Sequence, residues 1–386
     1  MSTTVLTRRR LGGLTMAAAV MAPAAVAAQG TFQVHPAVAA TQVYESNLFS
    51  TPSARQEDFI TRVTPEIESE YRSPRWRFTG RYLLDLERFA DHPELSSPDS
   101  RQQGTILVGF HPTARVTIAG GAEYLTTRTP AELNIATGLS FTRARAERVS
   151  AHSSIAHQLS AVTTGTIEYA LTSDRLGAGY ESDTHSAAAA LSRRVSARTM
   201  VSGRYRGQAF AFATGAATEP PVISHALGFG VTHSLTPHIN LTIDAGPRLT
   251  ADVLRPELSA TIGWNRDPHV LSLAYARTQG TAIGFAEPVD IESLHASAAR
   301  TFWRSLEVRV ATGVFRTGSD GRRADVYVLA AGVSQPVANA FAVELAFDGA
   351  VQEGSLLSAL PDQRIPRHTI QVRLIAGGVR REAGRW

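Results

Sequence analysis

A period of two runs through this chain, and no other feature constrains its fold as much. The segment "RWRFTGRYLLDLERF", residues 75–89, shows it most clearly. One register reads Trp76, Phe78, Gly80, Tyr82, Leu84, Leu86; the other reads Arg75, Arg77, Thr79, Arg81, Leu83, Asp85, Glu87. Successive side chains leave an extended strand on opposite faces. The alternation therefore predicts a strand with one apolar face and one heavily charged face. The preceding "DFITRVTPEIESEYR" repeats the pattern, with Phe59, Val63, Ile67 and Tyr71 against Arg62, Glu66, Glu68, Glu70 and Arg72.

The same rhythm returns in "TGTIEYAL", "INLTIDAG", "LEVRVATGV", "FAVELAFDG" and "TIQVRLI". The Ala- and Ser-rich "THSAAAALS" is assigned to strand from its neighbours. Short turn-prone joints recur at Pro74, Pro112, Ser160, Ala197, Pro237, Pro268, Arg304 and Ala338. Between them lie two strands and a longer Gly-, Pro- or acid-rich connection, such as "ADHPELSSPDS", "TTRTPAELNIATG", "SDRLGAGYESD" or "RTGSDGRR". This hairpin-level repeat gives about 18 strands (16–18), counting one before residues 47–57 and one near 368–379.

An open sheet of that size would leave two aggregation-prone edges, so closure is expected. A soluble sandwich hides its apolar face, whereas a membrane barrel turns it to lipid and encloses the polar one. Strands of about 10–14 residues suit a tilted membrane crossing. Alternating short and long connections suit periplasmic turns and external loops. The fold class expected is all-β: a closed antiparallel up-and-down transmembrane β-barrel with short periplasmic turns and long external loops.

The first thirty residues read differently. Arg8, Arg9 and Arg10 precede an apolar run from Leu11 to Ala25, and small residues follow at Val26, Ala27 and Ala28. That is the layout of a cleavable signal peptide over 1–28, with the barrel over 29–386. "TRRRLGG" also resembles a twin-arginine signal, but that route carries folded cargo, so general secretion is preferred. The signal holds three of the 38 basic residues and none of the 34 acidic ones, leaving the remainder near neutral. There is no lysine, and acids alternate with arginines throughout, so a nucleic-acid partner is not expected. The absence of cysteine excludes disulfides, a thiolate nucleophile and a lipid-anchored cysteine.

The stretch "VYESNLFSTPSARQEDFITRVTPEIESEYR" and its continuation carry a resemblance. A Y-x-x-N motif at Tyr44–Asn47 leads into a loop, then into Asp58, Ile60 and Pro65. Over about 60 residues the chain resembles Gram-negative outer-membrane β-barrel proteins of the β-barrel porin 2 type, with Ser46 where that family often has Asp. The resemblance implies the cell outer membrane and surface-polysaccharide export. Its implied partners are outer-membrane lipid, barrel-insertion machinery, and polysaccharide or polysaccharide-export proteins. It carries over no catalytic or binding residue.

The candidate lumen lining is Arg62, Glu66, Glu68, Glu70, Arg72, Arg75, Arg77, Arg81, Asp85 and Glu87. Such side chains either set selectivity, as charged rings do in pores, or pair with one another across strands. His152/His157 and His233/His238 are each five apart, hence on opposite faces of a strand, and no metal is expected. "GSDG" at 318–321 reads as a turn, not a nucleophile elbow. No cofactor and no enzymatic activity are expected. The reading is a porin-like channel for polar solutes. The alternatives are a non-conducting barrel acting as an enzyme, adhesion or structural module, and a soluble periplasmic β-protein.

Overall fold

A computed structural model describes residues 30–377 apart from 178, 216, 219, 304, 320, 339 and 357–363. The expected signal segment and the terminal Trp386 lie outside the described residues. Eighteen long antiparallel strands form one sheet. They are β1 (Thr31–Glu45), β2 (Asp58–Arg72), β3 (Trp76–Phe89), β4 (Ser97–Thr113), β5 (Val116–Thr127) and β6 (Ala146–Gln158). Next come β7 (Thr163–Leu176), β8 (Tyr180–Arg194), β9 (Thr199–Thr214), β10 (Val222–Thr236), β11 (Ile239–Thr250) and β12 (Val253–Arg266). Last are β13 (His269–Gly280), β14 (Val289–Phe302), β15 (Leu306–Ser319), β16 (Arg322–Ala338), β17 (Phe341–Gly354) and β18 (Arg364–Gly377). Ala217–Thr218 add one short pairing to β9. β1 bonds both β2 and β18, so the sheet closes and its first and last strands have partners.

The eight short joints each link the strands expected of them. The long connections are fewer than the sequence suggested. "SDRLGAGYESD" and "RTGSDGRR" are mostly strand, because β7, β8, β15 and β16 continue past their apolar stretches. Strands accordingly run from 12 to 17 residues. Among the connections described throughout, three at the loop end are the longest: L1 (46–57), L3 (128–145) and L7 (281–288).

The outer surface is apolar and bounded by aromatic side chains. At the turn end lie Phe32, Trp76, Phe110, Trp264, Phe302 and Phe341, with Trp76 stacked on Phe110 at 4.2 Å between centroids. Toward the loop end, Tyr44, Tyr82, Tyr124, Tyr169, Tyr205, Tyr275 and Tyr327 form a second belt, seven of the chain's nine tyrosines. Tyr327 lies opposite Val351, ten residues above Phe341. Ten residues at ~3.3 Å each, tilted by ~40°, span roughly 25 Å along the barrel axis. Between the belts stand side chains such as Ile167 (66 % exposed) and Phe229 (71 %). An apolar band of that height between two aromatic girdles is the surface of a membrane-spanning barrel.

Three apolar clusters among the described residues sit at the loop end; one joins Leu48 of L1 to Val43, Ile60 and Phe89 on β1–β3, and the other two join strands to L3 and L7. Of those two, one joins Leu139 of L3 and Phe285 of L7 to Ile291, Phe315 and Val326 on β14–β16. The other joins Leu133 of L3 and Ile283 of L7 to Tyr180, Phe210 and Phe212 on β8 and β9.

Candidate functional site

Register decides where each expected lining residue points. On β2 the even-numbered side chains face inward, so Arg62, Glu66, Glu68, Glu70 and Arg72 share one wall. β2 pairs with β3 through Arg62↔Glu87, Glu68↔Arg81 and Arg72↔Arg77, which puts Arg77, Arg81, Asp85 and Glu87 on that same wall. Arg75 lies in the turn before β3, exposed, with its carbonyl accepting the His111 amide at 2.8 Å. That bond carries the Trp76↔Phe110 pairing one residue further, so Arg75 sits at the turn end of the wall, just outside β3.

The inward charges pair across strands. Arg81 donates to Glu66 at 2.7 Å, and Arg62 donates to Glu87 at 2.6 Å. Arg72 pairs with Glu70, which Arg77 approaches at 3.9 Å. Asp85 is buried; it accepts the Thr64 hydroxyl and lies 3.9 Å from Arg62 and 3.7 Å from Arg101. Such pairing keeps charge on a wall facing the interior, at the cost of desolvation that lone charges could not sustain.

L3 brings further groups to this wall. After the short Pro130–Leu133 turn, Asn134 accepts the Ile283 amide of L7 at 2.9 Å. The chain then turns back through Gly138, whose φ of 65° favours glycine and where an added Cβ would crowd the Phe315 ring at 3.0 Å. Ser140 donates its amide to Gln352 on β17 at 2.8 Å. On its return L3 places Arg143 over the Phe89 ring and 3.7 Å from Glu87, while the Glu132 carboxylate lies 2.9 Å from the Arg101 guanidinium as an ion pair. Burial pushes the Arg143 guanidinium below its ordinary value, against the pull of Glu87. L3 thus crosses the lumen between opposite walls. L7 is knitted to it, with the Tyr180 hydroxyl bonded to the Ala282 and Phe285 carbonyls at 3.2 and 3.1 Å.

Arg101, Glu132, Arg143 and the Glu45–Arg367 pair at 2.9 Å were not among the expected lining residues. Glu45 continues the inward register of β1 (Ala39, Thr41, Val43), and that alternation was a usable signal. Arg143 and Glu132 had none, because a loop's course is set by contacts far away in sequence.

No family model matches the chain, and no curated protein matches it. Among solved structures it is similar to Pseudomonas aeruginosa OpdQ, with 12% identity over 90% of this chain and 97% of that one, TM-score 0.45. It is also similar to P. aeruginosa OccK5 (OpdH), with 11% identity over 89% and 98%, TM-score 0.46. The siderophore receptor PirA from P. aeruginosa matches at 7% identity over 90% and 81%, TM-score 0.45. The geometry itself defines the class: a membrane-spanning β-barrel of eighteen strands with an ion-paired inner wall and a loop folded across its bore.

Proposed function

We propose that the protein is a porin-like outer-membrane channel that passes small polar solutes. The observation that carries this is the inner wall of β2–β4, where arginines and carboxylates alternate beside L3. Barrels of 16–18 strands are wide enough for an aqueous path. A loop held across such a path by ion pairs narrows it and presents both signs of charge to a solute. The ionisable groups gathered here are arginines and carboxylates matched to each other, an arrangement that supplies wall charge rather than a nucleophile. This favours a channel over an enzyme.

The short turns then face the periplasm and L1, L3 and L7 the exterior. Export by a signal over 1–28 belongs to the same reading, and the N-terminal sequence of the membrane-inserted protein tests it. The resemblance in the β1–β3 region extends the reading toward surface-polysaccharide export. L3 and L7 weigh against it, because a polymer strand needs a clear bore through which those loops now pass.

Reversal potentials in planar bilayers under a KCl gradient are the test. Arg77 and Arg81 both face the lumen, so Arg77→Glu/Arg81→Glu is expected to shift permeation toward cations. Channels with an unaltered reversal potential would remove these residues from the pore, and a folded barrel that never conducts would reject the channel.

A further inference from the structure

Near the loop end the pairing between β12 and β13 breaks off. β12 and β13 pair from Arg266↔His269 up to Leu258↔Arg277, and no further. Above that, Val253–Glu257 pair only with β11, and Thr278–Gly280 only with β14. The sequence explains the break. Pro247 and Pro256 stand opposite each other in the β11–β12 ladder. Two prolines cannot form a pair that exchanges both N–H···O bonds, so theirs is a non-bonded pair, its nitrogens turned away from each other. The Pro256 nitrogen is therefore aimed at β13 and has no hydrogen to donate. On the other side, Gly246 permits a close approach by β10: a Cβ there would lie 1.7 Å from the Leu227 carbonyl oxygen.

Only side chains bridge the parted edges among the described residues. Thr250 donates to Gln279 at 2.9 Å, and Arg248 and Arg255 both reach Asp290 on β14. The β18–β1 seam offers a contrast. It too parts near the loop end, but L1 closes it with a backbone bond, from the Ser46 amide to the His368 carbonyl at 3.0 Å.

The opening begins just above Tyr275 of the outer aromatic belt, at the height of lipid headgroups. Outside it stand Leu249 and Leu254, the latter 69 % exposed. Inside it lies the apolar cluster of Phe210, Phe212 and Ile283. Between the two sit three arginines and two carboxylates: Arg206 and Arg248 bond Glu257 at 2.7 and 3.3 Å, and Asp290 holds Arg248 and Arg255. Arg248 is 2 % exposed, and the buried Nε atoms of Arg248 and Arg206 have no hydrogen-bond partner. A buried, cation-rich cluster with unused donors matches an anionic oxygen group, and apolar surfaces on both sides match a hydrocarbon body.

We propose that the gap between β12 and β13 is a lateral port. Through it an amphipathic solute with a phosphate-like headgroup passes between the outer leaflet and the lumen, and the contacts of Arg248 and Arg255 with Asp290 are its latch. The port rests on the channel reading for its inner outlet. The test uses the full chain with Glu257→Cys/Thr278→Cys, the positions next in register above the last pair, in a protein with no other cysteine; because Glu257 belongs to the cluster, the reduced variant, first shown to pass dodecyl phosphate above protein-free vesicles, is the reference for every comparison. A bifunctional thiosulfonate closes the gap, and a reductant reopens it. Vesicles carrying the protein enclose a phosphatase that reports arrival of dodecyl phosphate, with inorganic phosphate and KCl conductance measured in parallel. Cross-linking is expected to lower dodecyl phosphate arrival to that of protein-free vesicles and to leave conductance unchanged. Reductant should restore arrival, which also shows that the variant folds, and Asp290→Asn should raise it. The port is overturned if cross-linking leaves arrival unchanged, or if the wild type gives no more than protein-free vesicles. It is equally overturned if conductance or inorganic phosphate entry falls in step. Cross-link-sensitive arrival without any conductance would instead count against the channel alone.

Discussion

At the scale of the residue, inward carboxylates of β2 and β3 are fixed by the arginines they meet. Glu87 is buried between Arg62 and Arg143, which come from β2 and from L3. Glu87→Ala would leave the part-buried guanidinium groups of Arg62 and Arg143 short of a counter-charge, a loss of about 1–3 kcal/mol. Its unfolding midpoint in urea, followed by the gel mobility of the folded barrel, is expected to fall accordingly. Arg88, outward on the same strand and exposed, provides the control: Arg88→Ala should change the midpoint little. Arg75 stands at the end of the alternation: it is exposed in the turn that Pro74 marks, outside the ion-paired part of the wall.

Elements were legible to different degrees. The strands, their number and their facing were readable because a period-two pattern fixes register: a slip of one residue would carry every arginine of β2 into lipid. The course of L3 was not readable. "TPAELNIATG" looks like any polar loop, and the partners that draw it inward, Phe315, Val326 and Gln352, lie some 180 to 210 residues away. Replacing Leu133 and Leu139 with Ser removes both of its apolar anchors, and single-channel conductance is expected to rise as L3 leaves the bore. The break beside β12 was latent in Pro247 and Pro256, but its meaning required the pairing to be known. The amide of Leu254, aimed like the Pro256 nitrogen at the gap, is expected to exchange with deuterium faster than those of Leu258–Arg266 in the same strand.

For the whole molecule, the fold follows from which face meets which solvent. Closure satisfies the backbone within the hydrocarbon layer, the aromatic belts set its height, and charge is confined to the interior and the rims. A barrel of this kind should refold only with detergent or lipid, and its unheated form should migrate apart from the boiled chain on a gel. The most direct test is single-cysteine accessibility along β7 in lipid vesicles, with Thr166, Ile167, Glu168 and Tyr169 replaced one at a time and probed with a water-soluble maleimide. Reaction is expected at Thr166 and Glu168, which face the lumen, and protection at Ile167 and Tyr169, which face lipid. Equal reaction at all four positions, or the opposite alternation, would contradict the account.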